Sequence, residues 1–387
     1  MKNKLIHFSQ LRPLICKTCL LLTLAAIAFS CKKDVQSSVT STENVVSSNL
    51  SATAYDVTLS LPTGYVKDGS VDYTKYLQMA IDKYDNLNFP AFPILVNDIG
   101  LQLRSNSKLT FATGSKLILK PSKNQNYDVL SIRECNNVKI YSPVIVGDRN
   151  SHTGSGGEWG MGIGIYSSSN IQVSYAVISN TWGDGIYVGS SAKNIPSSAI
   201  IIDRVNITNS RRSAISITSA KGVTITNSYL AKSNGTIPQD GICVEPNSSK
   251  DEISGLVFTN IQSFQNKGHG IEFSLSKIYG GSDKKIDAVI NSYVDKGSYS
   301  AVYVSCFHKK SSHGEKVSGL ITFNNPKWYN FGQYVFDPYG LQEPALSLKV
   351  VNPSLYDSNN NLLDQAAILK ILQREIYSKT NTTIVNN

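Results

Sequence analysis

A short pattern of small, apolar and polar positions recurs six times along the middle of the chain. The six segments read MGIGIYSS, GDGIYVGS, RSAISITS, QDGICVEP, GHGIEFSL and YSAVYVSC. We anchor them on their small residues, which are Gly164, Gly185, Ala214, Gly241, Gly270 and Ala301, at spacings of 21, 29, 27, 29 and 31 residues. Isoleucine or valine follows each anchor, and a second apolar residue follows two positions later in five segments, with Ser167 as the exception. Because alternate residues of a strand share a face, these columns predict strands with an inward aliphatic side.

Repeats of irregular length that share one patterned strand indicate a β-solenoid, in which each coil stacks about 4.8 Å above the last. Second strands fit between the anchors, in NIQVSYAVIS, AIIIDRVNITNS, GVTITNSYL and GLVFTNIQSF. They end near asparagines that we expect in left-handed turns and stacked ladders, namely Asn180, Asn209, Asn227 and Asn260.

Helical spacing appears only near the two ends of the repeat region. Tyr73, Leu77, Ala80, Ile81 and Tyr84 predict an amphipathic helix near 72–86, and LDQAAILKILQREIYS predicts a second helix near the C-terminus. We expect these helices to cap the open edges of the stack. The predicted β-helix domain spans 55–355, and a C-terminal helix and tail follow at 356–387.

The segments NTWGDGIYV and GHGIEF resemble the right-handed parallel β-helix superfamily of pectate lyases, polygalacturonases and related epimerases. The resemblance covers roughly residues 55–350 and implies an all-β, single-stranded right-handed parallel β-helix. Polygalacturonases carry an NTDG strand start, a paired-aspartate start one coil on, and then GHG. Asp184 matches the first motif, but Arg212 stands where the paired acids are expected, Asp240 follows one coil later, and His269 lies in GHG. The extra coil means that the polygalacturonase mechanism is not carried over.

Asp184 and Asp240 are the candidate catalytic acid and base. Each directly precedes an anchor residue, and we expect both at the rim of a groove, about 9.6 Å apart across two coils. That separation is near the upper end for two carboxyl groups that hold a sugar and a water in inverting hydrolysis. Arg212 lies on the coil between them, and His269 lies one coil beyond Asp240, where it can act with that acid. The structural alternatives are an Asp–Arg–Asp bridge that stabilises the stack and a histidine that only packs at a turn.

A glycine-rich segment before the first coil, GDRNSHTGSGGEWG, adds further candidates. The predicted substrate-binding residues are Asp148, Arg149, His152, Glu158 and Trp159 in this segment, and Tyr187, Glu245 and Glu272 at outward strand positions. Because Trp159 and Trp182 precede neighbouring coils, we expect the segment to lie over the same groove as Asp184. A salt-bridged loop with no contact to substrate is the alternative, and tyrosine is common on strands without any function.

The composition fits an exported β protein, with 41% hydrophobic and only 17% charged residues among 387. The formal charge is +9, but Lys2, Lys4, Arg12 and Lys17 supply four of these charges, which leaves about +5 from Cys31 onward. This excess is too weak and scattered to indicate a nucleic-acid partner, although it could attract an acidic glycan.

The cysteines predict neither a disulfide framework nor a metal site. Beyond the leader and Cys31, only Cys135, Cys243 and Cys306 remain, an odd number at wide spacing, so buried thiols are expected. Because no metal-ligand spacing is visible, we expect no cofactor, with calcium left open.

Residues 1–30 are typical of a signal peptide, with a basic start and the apolar run CLLLTLAAIAFS, which is too short to span a bilayer comfortably. Small residues precede Cys31, as in Bacteroidetes-like lipoproteins, which predicts lipidation of that cysteine. Residues 31–54 form a Ser/Thr-rich tether. We expect an outer-membrane or cell-surface lipoprotein whose only membrane contact is its lipid. Ordinary cleavage near Ser30, which would give a periplasmic or secreted protein, is the alternative.

Three functions are compatible with these features. The first is an exported carbohydrate-active enzyme that hydrolyses a polysaccharide, expected to contain uronate, with Asp184 and Asp240. The second is a polysaccharide lyase or uronate epimerase, in which Arg212 neutralises the uronate carboxylate and Tyr187 or His269 handles the proton. The third is a non-catalytic glycan-binding β-solenoid.

Overall fold

The computed structural model describes residues 53–305, 317–329, 334–337, 346–377 and 381–386. The predicted signal peptide, the lipidation site Cys31, the tether before residue 53 and Cys306 lie outside the described residues. Within the described ranges, no helix combines the length and the apolar character that crossing a bilayer requires.

Two sheets of parallel strands make up this part of the chain. The front sheet, as we name it, has nine described strands: Leu101–Gln102, Asn126–Arg133, Trp159–Tyr166, Ile186–Gly189, Ile215–Ile217, Ile242–Val244, His269–Ser274, Ser300–Ser305 and Tyr334–Phe336. The rear sheet has twenty: Tyr55–Asp56, Asn86–Phe89, Pro93–Val96, Lys108–Phe111, Lys116–Leu119, Asn136–Tyr141, Val144–Val146, Ser169–Ser174, Val177–Ser179, Ser197–Asp203, Asn206–Thr208, Ala220–Ala231, Ile253–Phe264, Lys284–Asn291, Val294–Lys296, Val317–Asn324, Lys327–Tyr329, Leu346–Val351, Ser354–Tyr356 and Asn381–Val385. The predicted all-β parallel solenoid is confirmed.

The helices are short. The described ranges contain two α-helices, α1 (Thr74–Lys83) and α2 (Gln365–Leu372), and a π-helical turn, Gln373–Tyr377, continues α2. Two 3₁₀ turns lie at Val57–Ser60 and Ser276–Ile278.

The predicted aliphatic column forms the inner side of the front sheet. Ile186 pairs with Ile215, Ile215 with Ile242, and Ile242 with Ile271, and all four side chains are fully buried. Each coil therefore buries its apolar residues against those of the next coil, which is the main source of stability in a solenoid.

The register of the first coil differs by two residues from the one that the anchor at Gly164 predicts. Ile163 pairs with Ile186, and Ile165 pairs with Val188, so Gly162 rather than Gly164 is the counterpart of Gly185. The segment GIGI repeats with a period of two, so either glycine fits the pattern, and only backbone pairing distinguishes them. With this correction the exception at Ser167 disappears.

The anchors are small because the chain approaches itself closely there. A Cβ on Gly185 would lie 2.4 Å from Ile207 Cγ2, and one on Gly270 would lie 1.9 Å from the Tyr293 hydroxyl. The glycine that ends the GHG motif is therefore explained by packing alone.

The predicted asparagine turns are confirmed. Asn180, Asn209, Asn227 and Asn260 have φ values of 57°, 58°, 52° and 56°, in the left-handed region. The Asn260 amide donates to Asn227 Oδ1 at 3.0 Å, and Asn209 donates to Asn180 Oδ1 in the same way. In these ladders the amide group of one asparagine donates a hydrogen bond to the side-chain oxygen of the asparagine on the neighbouring coil.

Both predicted helices pack against the apolar interior. Helix α1 buries Leu77 and Ile81, and α2 buries Ile368 and Leu372. Beyond α2, Glu375 accepts hydrogen bonds from the N–H groups of Val335 and Phe336, both at 3.0 Å, and so satisfies the last described front strand. The tail then adds a strand, because Asn381–Val385 pairs with Leu346–Val351.

One inward column contains an acid. Asp295 is fully buried next to Ser263 and Trp328 in the strand register, and its Oδ2 accepts a hydrogen bond from Ser298 Oγ at 2.7 Å. Burial raises the pKa of Asp295 from 3.8 to about 7. The acid therefore keeps its proton in the folded chain at pH values where the unfolded chain has lost it.

We predict that replacing Gly270 by alanine lowers the free energy of unfolding by about 1–3 kcal/mol, because the new methyl group would overlap the Tyr293 hydroxyl. Thermal melts measure the effect. The matched control is Gly156→Ala, where the nearest atom is the mobile end of Gln125, and equal melting temperatures for the two variants would contradict this account.

We also predict that Asp295 makes the fold less stable as the pH rises. The contribution of Asp295 to the free energy of unfolding is fully present below about pH 4, where the acid also holds its proton in the unfolded chain. This contribution is lost as the pH rises through the folded pKa of about 7. Asp295→Asn should therefore flatten the fall in stability between about pH 4 and pH 7. Urea denaturation at several pH values tests this, and an unchanged slope in the variant would show that the acid is ionised in the fold.

Candidate functional site

The outer surface of the front sheet, which we call the front face, carries one register-matched row of side chains. The row consists of Tyr187, Ser216, Cys243, Glu272 and Tyr303, on five successive strands. Each of these residues follows an inward aliphatic residue by one position and therefore points outward. Residues that are about 30 positions apart in the chain become neighbours here.

Asp184 and Asp240 lie beneath the front face and not at the rim where the sequence placed them. Both are 0% exposed. Asp184 Oδ1 accepts a hydrogen bond from the Ser213 N–H at 2.8 Å, and Asp240 Oδ1 accepts one from the His269 N–H at 2.6 Å. The expected exposure is wrong because each carboxyl group turns to the backbone N–H that begins the next coil. Burial raises the pKa of both carboxyl groups.

Arg212 is the centre of an ion-pair network whose members flank four successive front strands. Its side chain is 10% exposed, and its Nε, Nη1 and Nη2 lie 3.7, 4.0 and 3.6 Å from carboxylate oxygens of Glu158, Asp184 and Glu245, respectively. Glu245 is also 3.2 Å from Lys277 Nζ. The structure thus brings Asp184, Arg212 and Glu158 together, as the register indicates. Glu245 joins them in place of Asp240, which makes no described ion pair with Arg212.

Asp240, His269 and Glu272 form a second group, which we call the acid–histidine cluster. One nitrogen or carboxylate oxygen from each residue lies within 4.8 Å of those of the other two. Burial raises the pKa of Glu272 and, together with the charge of Glu272, raises that of Asp240. The sequence predicts that His269 lies next to Asp240, which precedes it by 29 residues, and the structure has them adjacent. It does not predict that Glu272 joins them, because that residue is expected only at an outward substrate-binding position.

His269 is held in one orientation within this cluster. Its Nδ1 is 2.6 Å from Ser300 Oγ, and its ring stacks on Tyr303 with centroids 4.7 Å apart. Burial lowers the pKa of His269 to about 4, so the ring is neutral at ordinary pH. Its Nε2 is directed to Glu272, 4.0 Å from Oε2.

Aromatic side chains flank these groups on the front face. The ring centroids of Tyr187 and Tyr166 are 5.3 Å apart. The Tyr187 hydroxyl accepts hydrogen bonds from Thr218 Oγ1 and Asn247 Nδ2. Trp159 is 52% exposed. These rings offer surfaces on which sugar rings can stack.

Three further residues belong to this aromatic group and are not among the candidates from the sequence, namely Tyr166, Asp128 and Arg133. The Tyr166 hydroxyl donates to Asp128 Oδ1 at 2.8 Å, and the Arg133 guanidinium lies 3.9 Å from the Tyr166 ring centroid. Strand periodicity alone places Tyr166 on the outer face, because it directly follows the inward Ile165, whereas Asp128 and Arg133 lie on the strand before the first recognised repeat.

Most of the glycine-rich loop is held by its own polar side chains. Asp148 accepts hydrogen bonds from the Tyr127 hydroxyl and the Ser122 N–H, and lies 2.8 Å from His152 Nδ1. The His152 ring stacks on Trp182 at 3.8 Å. The loop residue that reaches the network is Glu158.

Arg149 likewise binds turns of the solenoid. Its guanidinium donates to the carbonyl oxygens of Asn209 and Ser210 and to the side chains of Asn209 and Asn234. The described contacts of Asp148, Arg149 and His152 are therefore structural, and their predicted role in substrate binding has no support in this geometry.

Comparisons with known proteins agree with this architecture. Residues 161–319 match the family model described as "Right handed beta helix region". The uncharacterized protein YclG of Bacillus subtilis (strain 168) is 30% identical over 213 residues, which are 47% of this chain and 36% of YclG. The prophage-derived uncharacterized protein YorA of the same strain is 26% identical over 162 residues, 38% of this chain and 28% of YorA. The chain spans about a third of the length of these curated relatives.

Solved structures share the fold at low sequence identity. The A-module of mannuronan C-5 epimerase AlgE6 from Azotobacter vinelandii has a TM-score of 0.54 and 15% identity, and the match covers 79% of this chain and 87% of the module. A mutant tailspike protein of E. coli bacteriophage HK620, in complex with a pentasaccharide, has a TM-score of 0.59 and 14% identity, over 79% of this chain and 58% of the tailspike. The stacked strands and these matches together show that the chain has the right-handed parallel β-helix fold.

Proposed function

We propose that this protein cleaves a polysaccharide that lies across the front face, and that the cleavage is a hydrolysis. The observation that carries the proposal is the Arg212 network, in which one nearly buried guanidinium lies within 4.0 Å of three carboxyl groups from three different coils. Glycosidases need two carboxyl groups at a fixed separation, and such a network fixes them.

Glu158 and Glu245 are the proposed catalytic pair. Their side chains are 46% and 26% exposed, so both can contact a substrate on the front face. Their carboxylate oxygens lie 3.7 and 3.6 Å from two nitrogens of the same guanidinium. The two carboxyl groups are therefore no farther apart than about 9.5 Å, which is the upper end of the range of about 6.5–9.5 Å found in inverting enzymes. One carboxyl group protonates the leaving oxygen, and the other activates the attacking water.

Asp184 is a positioning residue in this proposal. It is fully buried and cannot contact a sugar, but its Oδ2 faces Arg212 Nη1 at 4.0 Å and so orients the guanidinium. The catalytic roles first given to Asp184 and Asp240 therefore pass to the exposed glutamates of the same network.

The front face also has the surface that a glycan requires. Trp159 and Tyr187 provide ring faces beside the glutamates, and Asn247 provides an amide. Two proteins with this fold are associated with glycans by name or by bound ligand, the mannuronan epimerase module and the HK620 tailspike.

The charge of the network favours hydrolysis over lyase or epimerase chemistry. A lyase or an epimerase needs a cation to neutralise the uronate carboxylate, and Arg212 already pairs with three carboxyl groups. We therefore propose that the sugar unit next to Arg212 is neutral, whatever the composition of the rest of the polymer.

Glu158→Gln and Glu245→Gln should each lower turnover by at least ~100-fold, the usual scale for loss of a general acid or base, with little change in melting temperature. Activity is screened on a polysaccharide panel by counting new reducing ends. The matched control is Glu252→Gln, a similarly exposed glutamate that pairs with Lys221 at 2.7 Å on the rear sheet.

Three results would contradict this assignment. Products with an unsaturated, ultraviolet-absorbing end would show a lyase, retention of glycan without turnover would show a binding module, and full activity in both glutamine variants would exclude the pair.

Arg212→Met should lower the free energy of unfolding by about 3–5 kcal/mol at neutral pH, because buried Asp184 then has no cation. The deficit should shrink at acidic pH, where the carboxyl groups are protonated. Melts at two pH values measure it, with Arg204→Met as the control, since Arg204 pairs with Asp203 at the surface. Equal losses in both variants would show that the network contributes no special stability.

A further inference from the structure

The acid–histidine cluster lies beside the Arg212 network and is not used by the proposed hydrolysis. Asp240 flanks the same strand as Glu245, and His269 and Glu272 lie on the next front strand. It contains one imidazole and two carboxyl groups, of which Asp240 is fully buried and Glu272 is 8% exposed. Two acids this deeply buried require either a compensating positive charge or a shared proton.

The hydrogen bonds of His269 define which ring nitrogen is available. Ser300 Oγ donates to the Val302 carbonyl at 3.2 Å and therefore accepts from His269 Nδ1, 2.6 Å away. The proton then resides on Nδ1, and Nε2 presents its lone pair towards Glu272 Oε2, 4.0 Å away. A histidine whose other nitrogen donates to a fixed acceptor is the usual arrangement of a metal ligand.

The two carboxyl oxygens of Asp240 differ in their contacts. Its Oδ1 accepts the His269 N–H, whereas its buried Oδ2 has no partner of good hydrogen-bond geometry among the described residues, and the side chains nearest to the carboxyl group are those of Glu272 and Cys243. Within the described part of the chain, His269 is the only basic residue within 4.0 Å of Glu272, and no lysine or arginine lies that close to Asp240. Arg212 is engaged with Glu158, Asp184 and Glu245.

From this geometry we propose that Asp240, His269 and Glu272 bind one divalent transition-metal cation, such as Zn²⁺ or Mn²⁺. Two carboxylates and a neutral imidazole balance a charge of +2. A donor set with one nitrogen suits these ions better than Ca²⁺, which takes 6–8 oxygen ligands. Three protein ligands also leave coordination positions free, as in catalytic sites.

The cation draws its ligands together. The three donor atoms lie within 4.8 Å of one another, and a metal with ligands at about 2.0–2.2 Å requires a contraction of about 1 Å. Rotation of the Glu272 side chain, which is on the solvent side of the cluster, supplies this movement without a change in the strands.

The test is metal binding to the full-length chain, first stripped with a chelator. Titration calorimetry with ZnCl₂ and with MnCl₂, and the metal content after dialysis, should show one ion bound per chain and a higher melting temperature in the loaded protein. Both readouts are independent of any enzymatic activity, so failure here would leave the proposed hydrolysis untouched.

Three variants locate the ion. Glu272→Gln and His269→Gln should weaken binding at least ~100-fold, and Ser300→Ala, which removes the acceptor for Nδ1, should weaken it ~10–100-fold. Asp240→Asn is less informative, because that side chain also holds the His269 N–H. Asp128→Asn is the matched control, since Asp128 is a buried front-face acid that instead accepts hydrogen bonds from Ser131 and Tyr166.

Two outcomes would overturn the proposal. A folded chain that binds neither ion would show that Asp240 and Glu272 share a proton instead. Binding that is undiminished in folded Glu272→Gln and His269→Gln would place the ion elsewhere in the chain.

Discussion

The hydrogen-bonded register between successive coils is the constraint on which the rest of this structure depends. Because each front strand pairs in parallel with the next, residues about 30 positions apart stack at the spacing of a sheet. The inward isoleucines hold that register, since a shift by one residue would turn the whole column out to solvent. Close stacking of the coils in turn requires small residues where the strands begin and asparagines in the left-handed turns.

The same register determines which polar groups of neighbouring coils form hydrogen bonds. Asp184 and Asp240 each bind the backbone N–H that starts the following coil, so an acid at this position helps to join two coils. Burying a carboxyl group is costly, and the structure offsets that cost differently in the two places. Asp184 faces Arg212, whereas Asp240 faces a histidine and a second acid. That difference distinguishes an ion-paired network from a cluster that attracts a cation.

The Arg212 network and the acid–histidine cluster occupy neighbouring parts of the front face. The Arg212 network presents partly exposed glutamates on either side of a fixed guanidinium, which suits acid–base chemistry on a sugar. The acid–histidine cluster is more deeply enclosed and lies against the ring of Tyr303. Both depend on neighbouring coils, so neither could form from a single repeat.

The amino-acid sequence by itself determined the solenoid, its inward columns, its asparagine turns and its terminal helices, because a period of two within strands and a repeat between coils are properties of the chain alone. The tertiary structure decided the register of the first coil, where GIGI permits two alignments, and the burial of Asp184 and Asp240. It also decided that Asp240, His269 and Glu272 meet. The physical reason is that strand periodicity shows which face a residue occupies, whereas its partners depend on the turns that set the register between coils.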